Sequence, residues 1–268
     1  MKRVLSVQDL SCMGKCSLTV ALPVISAMGI SCSVLPTAIL STHTAFPDPV
    51  VLPMTESMVP MARHMAAFGD GFDAVSVGYL SCPEQAEKAE AVLAGLDAIK
   101  VIDPAMGDHG KLYSGMTEEN ITAMARLCRK GNVLLPNLTE AALLTGQPYR
   151  TDGDSQYLHA LAEGMLAFGA DGVVITGIHW DDAHTGFVCM EKDGSFYPYQ
   201  AQQIPRRQHG TGDIFCAVVT GALALGKKLP EAAKLAAGFV EKVVKNTPVS
   251  SPFGAEFEAC LPWLWQQI

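Results

Sequence analysis

Short apolar runs rich in β-branched residues alternate with longer stretches of helical periodicity along nearly the whole chain, and that alternation admits few architectures. The strand candidates are Val4 to Val7, Cys32 to Leu40, Ala74 to Gly78, Val101 to Asp103, Val133 to Leu135 and Val173 to Thr176. They are apolar on both faces, as parallel strands covered by helices require. Helical patterns fall near 15–28, 55–67, 84–96, 117–129 and 154–168, then 213–225, 231–246 and 254–265. This order predicts an α/β fold: one domain over residues 1–268 with a doubly wound, mostly parallel sheet. One segment departs from it. Gly186 to Met190, turn residues Asp193-Gly194, and Ser195 to Tyr199 read as a hairpin that extends one sheet edge with antiparallel strands. A chain of 268 residues is long enough for one full core, and no repeat, low-complexity linker or charge block divides it.

Charge narrows the partners. A formal net charge of −8 with no basic cluster argues against nucleic acid and anionic membrane, and 49% hydrophobic against 17% charged residues suits a compact enzyme. No apolar run approaches the ~18 residues of a membrane span, and Met1-Lys2-Arg3 leads only into a short strand, so a cytoplasmic location is expected. The eight cysteines lack C-x-x-C pairs or histidines at zinc spacing and read as reduced thiols. Cys12 and Cys16 lie one helical turn apart and are read as packing residues, because two isolated thiols make a poor metal site.

The segment His209-Gly210-Thr211-Gly212-Asp213 opens an apolar-periodic run through Ile214, Phe215, Ala217, Val218, Ala222 and Leu225. Two glycines let backbone approach a ligand, and a helix starting there directs unpaired N–H groups and a positive dipole end at it. Asp213 repels an anion held there unless it has a second task, such as taking a proton from an attacking hydroxyl. Two readings stand: the phosphoryl-transfer centre of a small-molecule kinase, or a Gly-rich loop with a capping Asp. Further polar residues recur where predicted strands end: Asp9, His43 and Thr44, Tyr79, Asp103, Asn137 and Glu140, and Thr176-Gly177. Ligands of open α/β sheets collect on that rim. A Walker A loop is absent, since Gly14-Lys15 is preceded by Asp9 where the first Gly belongs and followed by Cys16. No Rossmann fingerprint follows an early strand.

Gly210-Thr211-Gly212-Asp213, Asn137-Leu138-Thr139-Glu140 and Asp103-Pro104-Ala105-Met106-Gly107 together resemble the ribokinase-like superfamily, and more narrowly the pyridoxal/pyridoxamine (vitamin B6) kinases. Leu5-Ser6-Val7-Gln8 is similar to their first-strand pattern, Ser41-Thr42-His43-Thr44 to their S-x-H-T segment, and Gly78-Tyr79 to their G-Y pair. The likeness runs in order from about residue 4 to residue 245. It implies that Asp213 is the general base toward a substrate 5′-hydroxymethyl group, with Gly210, Thr211 and Gly212 presenting N–H groups to the γ-phosphoryl of ATP. It also implies Mg²⁺ held largely through water near Asp103 and Glu140, with a monovalent cation such as K⁺ close by. Asn137, Thr176 and Gly177 would contact nucleotide phosphates. Residues 108–114 would fold over them as a flap carrying Lys111 and Tyr113, and closure would exclude water. Asp9, His43, Thr44 and Tyr79 would face the vitamer. Read as ordinary structure, Asp103 caps a helix, Glu140 is a solvated helix residue, and Asn137 and Thr176 merely end strands.

Two departures concern the substrate. Asp9 stands where these kinases usually carry Ser, and Leu40 replaces an aromatic before the S-x-H-T segment. A carboxylate prefers a protonated ring or an amine, so Asp9 either tilts preference toward pyridoxamine or another cationic heterocycle, or caps the helix beginning near Gly14. Leu40 removes ring stacking. His43 either bonds the pyridine 3-hydroxyl or fills a polar core site. His64, His159, His179 and His184 have no motif register and read as surface or packing residues. Met28, Met54, Met58, Met61 and Met65 read as core or interface, and the 54–65 helix is the expected contact of a homodimer. The rival branch is the hydroxymethylpyrimidine kinases, which generally show Cys where Asp213 stands. A non-catalytic sensor of vitamers or nucleotides is the alternative from another class.

Overall fold

In the computed structural model, which describes residues 1–44, 46–69, 71–206, 208–249 and 251–268, the chain opens with β1 (Arg3–Ser11), α1 (Leu18–Ala27), β2 (Ser31–Leu40), β3 (Val51–Pro53) and α2 (Thr55–Ala67). There follow β4 (Ala74–Val77), α3 (Pro83–Ala94), β5 (Ile99–Ile102), a small ribbon of β6 (Gly107–Asp108) and β7 (Lys111–Leu112), α4 (Glu118–Cys128), β8 (Val133–Leu134), α5 (Leu138–Thr145) and α6 (Ser155–Leu166). The last third holds β9 (Gly172–His179), β10 (His184–Glu191), β11 (Phe196–Gln202), α7 (Thr211–Ala224), α8 (Leu229–Asn246) and the short α9 (Leu261–Trp265).

Among the described residues nine strands form one sheet in the order β11-β10-β9-β8-β5-β4-β1-β2-β3. The pairs from β2 through β1, β4, β5 and β8 to β9 are parallel. Both edges are antiparallel: β10 and β11 form the predicted hairpin, and β3 adds to β2. Period-2 alternation supplies both cores. Val4 faces the layer that includes α1, α7 and α8, while Leu5 and Val7 face the layer of α3, α4 and α6. The chain leaves β1 for β2 on one side, then crosses to β4 on the other. The order therefore reverses at β1/β4, the crevice where open α/β sheets take ligands. Helix α7 packs across β1, β4 and β5 beside it.

Several predicted boundaries are corrected. β1 runs to Ser11, so Asp9 lies within the strand, beside a register shift between Gln8 and Leu10. β9 runs to His179 and includes Thr176 and Gly177. The first helix begins at Leu18 because Gly14 and Ser17 take positive φ (116° and 50°) and keep residues 12–17 out of helical geometry. Of the helix expected over 254–265 only a turn at Glu258–Cys260 and α9 exist. Gly254 (φ 108°) holds the preceding chain extended, and Ala255 N–H donates to the His209 carbonyl. β3 and α5 were not expected. β3 is three exposed residues ending in proline, and α5 is eight residues behind a capping box of Asn137 and Glu140. The expected 108–114 flap contains most of the β6/β7 ribbon.

Candidate active site

Gly210 is the N-cap of α7 in the left-handed region (φ 84°, ψ 1°), and a Cβ there would stand 2.0 Å from the Lys15 carbonyl oxygen. Both conditions demand glycine. A Cβ on Gly212 would meet nothing within 4 Å, so open space lies against the first turn, whose N–H groups have no partner within the helix. The 12–17 loop is pinned beside it: Lys15 N–H donates to Phe253 O at 2.8 Å, and its ammonium pairs with Glu258 and lies 5.4 Å from the Phe257 ring centroid.

Asp213 sits in that first turn, half-buried. Burial pushes its carboxyl up to about 7, and the charge of Asp9 adds to the rise. The nearby Ser17 backbone N–H opposes it. Asp103, directly after β5, is raised by burial and then by Asp213. Glu140 is 2% exposed and is also raised, by burial and then by Asp103. Its place is not that of a solvated helix residue. Oε1 accepts Met106 N–H at 3.1 Å and Oε2 accepts Asn137 N–H at 2.8 Å, so the carboxylate braces the Asp103–Gly107 loop. The Asn137 side chain accepts Glu140 N–H at 3.0 Å and donates to the Gly107 carbonyl at 2.8 Å. It thus caps α5 and ties the ribbon down, and it pairs with Thr176 in an isolated bridge.

Asp9 is buried, and each carboxylate oxygen takes a hydroxyl: Ser17 Oγ donates to Oδ1 at 2.5 Å and Ser11 Oγ to Oδ2 at 3.1 Å. Ser17 is the N-cap residue of α1 but makes no side-chain cap bond, and Asp9 accepts its hydroxyl instead of a helix N–H, so the side chain of Asp9 does not cap that helix. Tyr79, half-buried after β4, feels the Asp9 charge, which together with burial raises its hydroxyl. His43 is buried, its ring 5.3 Å from that of His209 and 4.8 Å from that of Phe46. A Cβ on Gly14 would meet the His43 ring at 2.2 Å. Burial and then His209 lower the His43 imidazole.

The structure thus gathers Asp9, Tyr79, Asp103, Glu140 and Asp213 along one rim. Tyr113 reaches it from the ribbon. Its hydroxyl is raised by burial, then by Glu140, Asp103, Asp108 and Asp213. Thr44, Lys111 and Gly177 are exposed and make no ion pair or side-chain bond that ties them to this group among the described residues. Sequence reasoning missed Ser11, Ser17 and Thr139, whose Oγ1 accepts the Gly110 N–H at 2.9 Å. A serine just before a periodic apolar run was the available signal for Ser17. Cys16, read as a packing residue, is a partly buried free thiol that adjoins the site. Burial and then Asp213 push its thiol up to about 12.

Among the described residues no three His, Cys, Asp or Glu side chains form a metal cage. What the rim offers is a run of acids with no lysine or arginine among the groups that shift Asp103, Glu140 or Asp213. That donor set fits a hard cation held through water and phosphate oxygens.

A large parallel sheet with antiparallel edges and a glycine-capped helix N-terminus at its switch point is the architecture of the ribokinase-like fold. The chain belongs to the phosphomethylpyrimidine kinase family, whose model matches residues 21–254. It is 29% identical over 263 residues to a pyridoxine/pyridoxal/pyridoxamine kinase of Bordetella bronchiseptica, covering 91% of this chain and 89% of that one. It is also 35% identical over 175 residues to a hydroxymethylpyrimidine/phosphomethylpyrimidine kinase of Streptomyces coelicolor, covering 63% of this chain and 62% of that one. Among solved structures, a Bacteroides thetaiotaomicron protein described within the phosphomethylpyrimidine kinases and crystallised with pyridoxal superposes with TM-score 0.92 at 32% identity, over 98% of this chain and 95% of that one. The Lactobacillus plantarum pyridoxal kinase gives 0.92 at 30% identity over 100% and 98%. The Staphylococcus aureus pyridoxal kinase with ADP gives 0.81 at 25% identity over 97% and 94%. No helix among the described residues is long and apolar enough to cross a membrane.

Proposed function

We propose that this kinase transfers the γ-phosphoryl of ATP to the 5′-hydroxymethyl group of a B6 vitamer. The observation that carries the reading is Asp213: a carboxyl poised at about 7, in the first turn of α7, beside N–H groups that face open space. A base with that pKa accepts a proton at neutral pH and leaves an alkoxide-like oxygen at the phosphorus. The amides of Gly210, Thr211 and Gly212 stabilise charge moving onto the equatorial oxygens. Asp103 would hold Mg²⁺, with Glu140 behind it fixing the loop, and a monovalent cation such as K⁺ would fit the same acidic rim. The cation supplies neutralisation of phosphate charge. Asn137, Thr176 and Gly177 bound the nucleotide side, and Lys111 and Tyr113 ride the ribbon above it. His43, Thr44 and Tyr79 bound the vitamer side. Cytoplasmic location and a homodimer through the 54–65 helix belong to the same reading; on that helix Met58 is buried while Met61 and Met65 are only partly covered.

A second reading, a hydroxymethylpyrimidine as substrate, rests on the matching family and the Streptomyces relative. One experiment ranks them: ATP consumption over pyridoxal, pyridoxine, pyridoxamine and hydroxymethylpyrimidine. Turnover of a vitamer at least tenfold above the pyrimidine is expected. Turnover confined to the pyrimidine moves the chain to the second reading, and tight binding without turnover makes it a sensor.

A further inference from the structure

The β6/β7 ribbon is too short to hold its own shape. Gly107 pairs with Leu112 and Asp108 with Lys111, and His109 and Gly110 close the turn at φ 51° and 75°, the two left-handed residues that such a hairpin favours. Even longer isolated hairpins are marginal in water, so this one stands where other parts of the chain fix it. At its base the anchors belong to residues already placed in the site. Asn137 Nδ2 donates to the Gly107 carbonyl at 2.8 Å, Glu140 Oε1 accepts Met106 N–H at 3.1 Å, and Leu112 packs against the core beside them. The tip has anchors of its own. The Gly110 N–H donates to Thr139 Oγ1 at 2.9 Å, and the Tyr149 ring lies so close to the same glycine that a Cβ there would stand 2.7 Å from ring carbon Cδ1. Thr139 is 2% exposed in the first turn of α5, and Tyr149 lies just past Gly146, the C-cap of that helix, and is 37% exposed. The helix and the residues that follow it thus grip one turn from two directions.

We infer that Thr139 and Tyr149 are positioning residues: they latch the ribbon tip to α5 and so fix where Lys111 and Tyr113 stand over the nucleotide phosphates. The consequence for turnover rests on the kinase reading; the grip on the tip does not. Lys111 follows Gly110 directly, and Tyr113 closes the ribbon at its other end, where its N–H donates to the Met106 carbonyl at 2.9 Å. A tip that lifts therefore moves both groups off the phosphates. Water then reaches an activated γ-phosphoryl, which leaks to hydrolysis. Gly110 is exposed, so with the Thr139 hydroxyl gone water competes for its N–H, and the loss is that of one modest hydrogen bond. Neither latch residue has to touch a ligand to act in this way.

The test measures motion and coupling separately. Amide hydrogen exchange over residues 107–113 is expected to quicken by roughly three- to tenfold in Thr139→Val and in Tyr149→Ala, without matching change in the β1 and β4 strands. In the same variants KM for ATP is expected to rise by roughly three- to tenfold and ADP release to outrun vitamer phosphorylation, while KM for the vitamer stays within about twofold of the parent. Thr139→Ser keeps an acceptor hydroxyl and Tyr149→Phe keeps the ring, and each is expected to rescue both readouts; a general loss of packing would not follow that pattern. If Thr139→Val does not fold, Tyr149→Ala carries the test from the surface. Unchanged exchange at the ribbon overturns the latch. So does faster exchange that leaves KM for ATP and the ratio of ADP to phosphorylated product as in the parent. Wild-type protein that phosphorylates none of the four compounds removes the kinase reading instead, and exchange in the ligand-free variants then decides the latch alone.

Discussion

Two sets of carboxylates in this molecule face opposite fates. On the 150–154 loop, Arg150 reaches Asp152 at 2.5 Å and Asp154 at 3.2 Å, and both acids are held below their ordinary range. Asp152 is lowered first by Arg150, Asp154 first by the Gln156 and Tyr157 N–H groups. On the rim, Asp103, Glu140 and Asp213 are raised, with desolvation as the leading cause and neighbouring acids next. The surface loop is electrostatically settled. The rim is not; it keeps negative charge close together and away from water, which is an arrangement that waits for a proton, a cation or a phosphate–cation complex.

The strongest way to break the contrast is to remove the base. Asp213→Asn keeps the shape and abolishes proton acceptance, so phosphorylation is expected to fall by roughly two or more decades while nucleotide binding, read by calorimetry, persists. Retained turnover would place the chemistry elsewhere. Next comes Gly210→Ala. Its Cβ meets the Lys15 carbonyl at 2.0 Å and its φ of 84° is left-handed, so thermal unfolding is expected to show a loss of about 1–3 kcal/mol together with weakened ATP binding.

A pH series sharpens the contrast. Asp213 titrates near 3.8 when unfolded and near 7 when folded, so between those values the folded state binds more protons. The resulting stabilisation is complete below the unfolded value and is lost as pH rises through about 7. Turnover requires the ionised form and rises over the same interval. Stability of the ligand-free protein is therefore expected to decline from pH 5 to pH 8 while kcat/KM climbs, and Asp213→Asn makes the decline shallower. A rise in both would contradict the assignment. The smallest effect belongs to the surface set: Arg150→Ala breaks solvent-exposed pairs and is expected to leave the melting temperature and kcat unchanged within error.

Much of the fold was legible because burial imposes periodicity. The helix at 55–67 agrees with α2 residue for residue, and the Asp193-Gly194 hairpin lies on the sheet edge as expected. What periodicity does not report is the contact between distant loops. Asp9 was placed after a strand since Gln8 and Asp9 break the apolar run, yet a polar residue is tolerated inside β1 once two serines satisfy it. For Glu140 the sequence left a metal-side acid and a solvated helix residue open; the second fails because its two oxygens close backbone bonds in a buried loop. The motif at 210–213 was legible from its two glycines, but the 12–17 loop stands against it, with the Lys15 carbonyl 2.0 Å from where a Gly210 Cβ would lie, across almost two hundred residues of chain. Local patterns carry no record of such pairs.

The strap formed by residues 253–257 has a consequence for biogenesis. The Phe253 carbonyl and Gly254 bear on Lys15, and Ala255 on His209, so the loop that presses against Gly210 has its own brace in a late part of the chain. During translation, β1, its neighbours and even the entry to α7 emerge well before that brace does. Until it leaves the ribosome, the nascent polypeptide carries a nearly finished sheet whose corner at Gly210 still lacks this brace and the core contacts of Ala255 and Phe257.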